Sequence, residues 1–180
     1  MVCNPPIAPP RVARTVWLTG LPSSGKTTIG RALVDRLRAE GLAAELLDGD
    51  EVRAAISGGL GFSREDRDEN VRRIGFVADL LSRNGVVAVC PVISPYRSVR
   101  DELRERHDGR FLEVWVSTPV EICSERDVKG LYARQRAGEL RGLTGVDDPY
   151  EPPARPEVVL ATQELTVEDA VEVLWNALFN

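Results

Sequence analysis

Residues 20–27 read Gly-Leu-Pro-Ser-Ser-Gly-Lys-Thr, a gapless G-x-x-x-x-G-K-[ST] pattern between an apolar segment at 15–19 and a helix-like one at 26–40. The pattern requires a strand entering and a helix leaving. Its glycines let backbone N–H groups curl around phosphate oxygens, and the helix presents its positive N-terminal end to them. Lys26 then sets a compact ammonium against the β and γ phosphates, and Thr27 offers a hydroxyl to Mg²⁺. Gly20, Leu21, Pro22, Ser23, Ser24, Gly25, Lys26, Thr27 and Thr28 are therefore expected to hold a nucleoside triphosphate. A glycine-rich turn that merely caps a helix is the plainer alternative.

The rest of the chain repeats the strand-then-helix rhythm. Residues 44–47 form a second expected strand, running into Asp48-Gly49-Asp50. Ser63 opens a helix in a Ser-x-x-Asp pattern with Asp66; its apolar stripe is Ile74, Val77, Ala78 and Leu81, and Asn84-Gly85 ends it. Residues 86–92 are unbroken in apolar character, as suits a strand buried on both faces. A helix over 98–107, a strand over 111–117, a helical piece over 119–126, a strand over 158–161 and an amphipathic helix over 166–178 complete the series. Between them, residues 127–157 carry many charges, four glycines and four prolines, the composition of a mobile surface lid. The expected fold is α/β, a three-layer domain at 15–180 with a five-stranded, mostly parallel sheet covered by helices on both faces. Ligands belong at the carboxyl ends of its strands.

Composition narrows the function classes. The 23 basic residues are outnumbered by 28 acidic ones, which argues against binding nucleic acid through a broad basic face. The longest apolar run, 86–93, is too short to cross a membrane, and residues 1–14 hold four prolines and no apolar core. That arm is read as flexible, neither leader nor anchor. Cys3, Cys90 and Cys123 are widely spaced without metal or redox spacing, so the expected compartment is the cytoplasm and Cys90 a small buried hydrophobe. A guanine-reading Asn-Lys-x-Asp is absent. At 180 residues a small-molecule kinase fits better than a motor or transporter ATPase. Only two of the 23 basic residues are lysines, Lys26 and Lys129; codon bias accounts for most of this, yet both fall inside motifs.

Four further segments bear on the acceptor. Asp48-Gly49-Asp50-Glu51-Val52-Arg53 ends the second strand, and Gly61-Phe62-Ser63 with Asp66-Arg67-Asp68-Glu69-Asn70 opens the next helix, where Arg67 and Asn70 share a face. Ile93-Ser94-Pro95-Tyr96-Arg97 follows the third strand. Arg126-Asp127-Val128-Lys129-Gly130-Leu131-Tyr132 opens the charged stretch, which Thr144-Gly145 and Pro149-Tyr150-Glu151-Pro152 close. Taken alone, Asp48 is also a turn residue after a strand, Asp50 an N-cap, and the charged side chains a solvated helix face.

In this order, LDGDxxR, LGFSxxDRxEN, ISPYR and RDxKGLY after a P-loop, the chain resembles adenylylsulfate (APS) kinases from about Val16 to Glu157. The resemblance implies MgATP-dependent phosphorylation of the APS 3′-hydroxyl to give PAPS, with a homodimer as the default assembly. Asp50 is then the candidate base, and Asp48 supports Mg²⁺ beside Thr27. Arg53 and Arg67 are candidates for the anionic phosphosulfate, Asn70 for a neutral hydrogen bond, and Phe62 for stacking on adenine. Ser94, which the family associates with a phosphoserine, is expected to hydrogen-bond the substrate beside Ile93. Lys129 is expected to close on phosphates with the lid. Arg126 is assigned to the nucleotide and Leu131 to the substrate. Family members generally carry Phe-Thr-Gly where this chain has Leu143-Thr144-Gly145. Leucine there forgoes a stacking face worth ~1–3 kcal/mol. The alternative is a kinase of the same fold acting on another nucleotidyl or hydroxyl acceptor; a nucleotide-binding regulator without turnover is the third reading.

Overall fold

A computed structural model describes residues 14–179, so all but Arg14 of the N-terminal arm, Cys3 included, lies outside the described residues. The apolar segment before the glycine-rich loop forms β1 (Thr15–Thr19), buried along its whole length. Its side chains alternate between two cores. Val16 and Leu18 join one cluster, and Trp17 joins the other. This central strand pairs with β3 (Val87–Pro91) on one side and β4 (Phe111–Val116) on the other. The edges are β2 (Ala44–Leu46), beside β3, and β5 (Val158–Leu160), beside β4. The order β2-β3-β1-β4-β5 is parallel in every pairing, where the sequence reading had allowed a mixed sheet.

Helices cover both faces. On one, α1 (Lys26–Ala39) and α7 (Val167–Phe179) pack Leu33, Leu37, Val171 and Leu174 onto β1, β3, β4 and β5. On the other, α3 (Arg64–Arg83) and α4 (Arg97–Arg106) set Val71, Ile74, Ala78, Val99 and Leu103 against Trp17, Cys90 and Phe111. Cys90 is fully buried, as its setting in an apolar strand predicts. Ser63 caps α3 by accepting from Asp66 N at 3.1 Å, while the Asp66 carboxylate accepts from Gly61 N at 3.0 Å. Among the described residues no helix is long and apolar enough to cross a membrane.

Two short helices refine the sequence reading. The segment after β2 coils into α2 (Gly49–Ile56), whose N-cap is Asp48 and not Asp50: Asp48 Oδ1 accepts from Asp50 N at 3.0 Å. The charged stretch 127–157 is more ordered than a loop. After α5 (Val120–Arg126) it forms α6 (Leu131–Arg136), which starts after Gly130 at φ +66° and is held by Asp127 accepting from Tyr132 N and Ala133 N. Its apolar side chains make a third small core, in which Tyr132 and Leu143 bury against Cys123 with Leu21 beside them. At Gly145, φ +89° favours glycine, and a Cβ there would displace the Leu21 side chain where the stretch meets the phosphate loop.

Candidate active site

The carboxyl ends of the parallel strands open into one cavity of about 660 Å³. Its floor is the turn from β1 to α1. Gly25 caps α1 at φ +102° with no side chain bonded to the helix end, leaving the first backbone N–H groups free for an anion. Lys26 is buried, and its Nζ donates to Gly20 O at 3.0 Å, Leu21 O at 2.6 Å and Ser24 Oγ at 3.2 Å. Gly20 and Leu21 thus hold the lysine rather than line the cavity, whereas Pro22 to Thr28 line it. Thr27 Oγ1 bonds to no other described residue. Burial, the largest influence, pulls the Lys26 ammonium down to about 7, with Lys129 pushing the same way and Asp50 opposing.

This depression carries a sign. Above about pH 7 Lys26 is mostly neutral in the free protein, and a polyphosphate recharges it. Triphosphate binding at pH 8 is expected to take up about one proton per site. At pH 6 the uptake disappears, because the lysine is already charged. Calorimetry in buffers of differing ionisation enthalpy measures this, and uptake that does not change with pH would contradict it.

The acceptor side is built from the ends of β2 and β3, the start of α3 and the charged stretch. Asp48, Gly49, Asp50 and Arg53 come from the β2–α2 corner. Asp50 is exposed and accepts a hydrogen bond from Lys129 Nζ, an ion pair joining the second strand's end to the start of the charged stretch. Asp48 Oδ2 lies 3.9 Å from Arg31. Phe62 is 74% exposed, with the Arg53 guanidinium 4.7 Å and that of Arg67 5.9 Å from its ring centre. Asn70 is buried, and its Oδ1 has no partner among the described residues, a polar atom in the cavity wall suited to a ligand donor. Ile93, Ser94 and Pro95 follow β3 into the same wall, and Leu131 and Lys129 face them from the charged stretch.

One expectation is corrected and two are qualified. Leu143 does not line the cavity: it is 5% exposed, drawn into the small core with Cys123 and Tyr132, which gives an aliphatic side chain apolar company that an adenine edge would not. Ser94 lines the cavity, and within the fold its hydroxyl accepts from Trp17 Nε1 at 3.0 Å and lies 3.0 Å from Thr19 Oγ1. Arg67 lines the cavity, yet it donates to Phe62 O at 2.9 Å, Thr144 Oγ1 at 2.8 Å and Gly142 O at 2.7 Å. It ties α3 to the charged stretch.

Sequence reasoning missed one wall. Thr162, Leu165, Thr166, Val167 and Ala170, beyond β5 and at the head of α7, close the cavity on the far side of the phosphate loop. Arg126 docks there, donating to Thr162 Oγ1 at 2.8 Å and Thr162 O at 3.1 Å. Thr162 and Thr118 both donate to Ser24 O at 3.0 Å, so the loop's own carbonyl anchors this wall. The assignment of Arg126, first residue of the Arg-Asp-x-Lys-Gly motif, to the nucleotide was the one signal pointing here.

The family described as adenylylsulphate kinase matches residues 12–161. An adenylyl-sulfate kinase of Rippkaea orientalis is 56% identical over 164 residues, spanning 91% of this chain and 90% of its own length. One from Halothermothrix orenii is 51% identical over 156 residues, 87% of this chain and 84% of its own. Among solved structures, the Mycobacterium tuberculosis APS kinase in complex with AMPPNP and APS superposes with a TM-score of 0.90 at 38% identity, covering 95% of this chain and all of that one. The phosphate loop, the acidic corner after β2, the serine-proline turn after β3 and the charged stretch all lie inside the matched region, and the chain belongs to the adenylylsulphate kinase family.

Proposed function

We propose that the chain phosphorylates the 3′-hydroxyl of APS with ATP, giving PAPS and ADP. The observation that carries this is a single cavity holding both halves of such a reaction: a phosphate loop with a buried lysine, and across from it Asp50, Arg53, Phe62 and the orphaned Asn70 amide. The polar groups suit an adenylyl compound with an anionic tail, and the exposed Phe62 ring offers a stacking face.

Each residue then has a task. Asp50 takes the proton of the attacking hydroxyl, which is a poor nucleophile until a positioned base removes it. Lys26 leaves the Gly20 and Leu21 carbonyls for the β and γ phosphate oxygens, regaining its full charge. Lys129 is held at the mouth by Asp50 and can shift from that carboxylate to phosphoryl oxygens as residues 127–157 close as a lid. Arg126 and the wall around Thr162 take the donor nucleoside, and Arg53 takes the acceptor's anion. Ile93 and Leu131 bound the acceptor through apolar contact. Thr27 and Asp48 fit a magnesium ion: a hydroxyl without a protein partner beside one carboxylate is the sparse donor set that a phosphate-bound Mg²⁺ needs. Bound there, Mg²⁺ would neutralise phosphate charge.

The test is ADP release from MgATP with APS at low micromolar concentration, PAPS being identified by mass. Rapid PAPS formation is expected. ATP binding without PAPS formation would assign the scaffold to another acceptor.

A further inference from the structure

Arg100 sits in the middle of α4, outside the cavity lining, with no solvent exposure of its side chain. Its guanidinium reaches three separate parts of the chain. Nε donates to Glu113 Oε1 on β4 at 2.9 Å, Nη1 to Ser94 O at 2.5 Å, and Nη2 to Glu151 O at 2.6 Å. Ser94 is where the acceptor wall turns, and its φ of +40° is a backbone conformation that L side chains rarely adopt. Glu151 belongs to the charged 127–157 stretch and donates its N–H to Pro95 O at 2.8 Å, and the neighbouring Tyr150 hydroxyl lies 3.1 Å from Thr19 Oγ1, one residue before the phosphate loop. Thr19 Oγ1 in turn donates to Ile93 O at 2.7 Å. Arg97 strengthens the attachment of α4, its backbone N–H donating to Glu151 Oε2 at 2.8 Å and Nη2 to Pro152 O at 2.9 Å.

We propose that Arg100 is a positioning residue for the acceptor: by bonding Ser94 O and Glu151 O at once, it holds the strained turn after β3 and the Tyr150-Glu151 part of the 127–157 stretch in one fixed relation around the acceptor. A buried guanidinium is a poor choice for stability alone, since well-packed apolar residues commonly serve as well or better. Its use here lies in geometry. A rigid planar fork with several donors can bridge two carbonyls and a carboxylate that no single apolar group could orient. Glu113 accepts from Arg100 on one oxygen and from Arg104 Nη2 on the other at 3.0 Å, which fixes the fork from behind. Ser94 lines the acceptor wall and Glu151 is bonded to Pro95 within it, and no hydrogen bond joins either to the Thr162 wall. Arg100 therefore acts on the acceptor and leaves the donor nucleotide alone.

The inference rests on the APS kinase reading, and the experiment separates the two. Arg100→Lys keeps the charge opposite Glu113 but cannot span both carbonyls. It is expected to raise KM for APS and lower kcat together, reducing kcat/KM for APS by about tenfold to a hundredfold, as misplacement of a reacting group by about 1 Å does. KM for ATP should stay within about twofold. Glu113→Gln is a milder form with the same side-chain size, expected to move KM for APS several-fold in the same direction. Leu37→Ala, at the far end of α1, supplies a destabilised control that should lower Tm without splitting the two KM values. A folded Arg100→Lys protein with wild-type KM for APS, or one whose two KM values rise equally, overturns the inference. If the unmodified protein makes no PAPS, the functional reading falls and takes this inference with it.

Discussion

Lys26→Ala is expected to reduce turnover by about 10³-fold or more, the lower end of what one charge-stabilising side chain contributes to phosphoryl transfer. The loss should appear chiefly in kcat, because the ammonium meets the phosphoryl group most strongly as charge develops on it. Folding should survive. In the free protein the lysine bonds only to carbonyls and a hydroxyl of its own loop, and burying its charge opposes folding. The sign follows from its lowered pKa. The unfolded chain keeps Lys26 protonated up to about 10.5, so between about 7 and 10.5 stability rises with pH, and below 7 the cost of the buried charge is at its fullest. The alanine variant should lack that slope. Thermal melts across this range, read beside steady-state rates, test both halves; near-normal turnover would remove Lys26 from phosphate neutralisation.

Asp50→Asn is expected to lower kcat by about 10²–10⁴-fold while ATP affinity stays close to that of the unmodified protein, as befits loss of a general base. The change keeps the side chain's size and removes its charge. It also dissolves the pairing with Lys129, but both partners are well exposed, so little stability is lost with it. Rates measured under saturating ATP and APS, with nucleotide affinity determined separately, decide the matter. An unchanged kcat would transfer the base's task to Asp48, which shares the cavity but already spends Oδ1 on capping α2.

The placement of Lys26 was legible in the sequence because a local rule fixes it, whereas that of Asp50 followed from its position after the second strand and from the family resemblance. The Gly-x-x-x-x-Gly-Lys-Thr spacing works only between a strand and a helix, and the apolar run around Val87–Pro91 has no role except as a buried strand. Ser63 and Asp66 announced the start of α3 by chemistry that operates within one turn. Legibility failed where distance in the chain replaced distance in space. Thr162 meets the phosphate loop from 138 residues downstream, through its bond to Ser24 O, on a loop without a motif. Nothing in the local pattern at Arg67 foretells Gly142 and Thr144 as its partners. Helix α6 is six residues long between glycines, too short for a periodicity to declare itself. Leu143 misled for a related reason: its motif position suggested the acceptor, but a buried cluster contributed by α5 and α6 claimed it.

The scarcity of lysine has a practical outcome for covalent chemistry. Apart from its α-amino group the chain carries two primary amines, and they differ sharply in nucleophilicity. Lys129 is exposed and bound to a carboxylate, while Lys26, drawn down to about 7 by burial, presents a nitrogen that is about half unprotonated at neutral pH, lining the cavity. An acylating or aldehyde reagent small enough to enter would thus mark one side chain in preference to the other. Triphosphate would shield it, making amine labelling a direct gauge of how much of the protein is loaded.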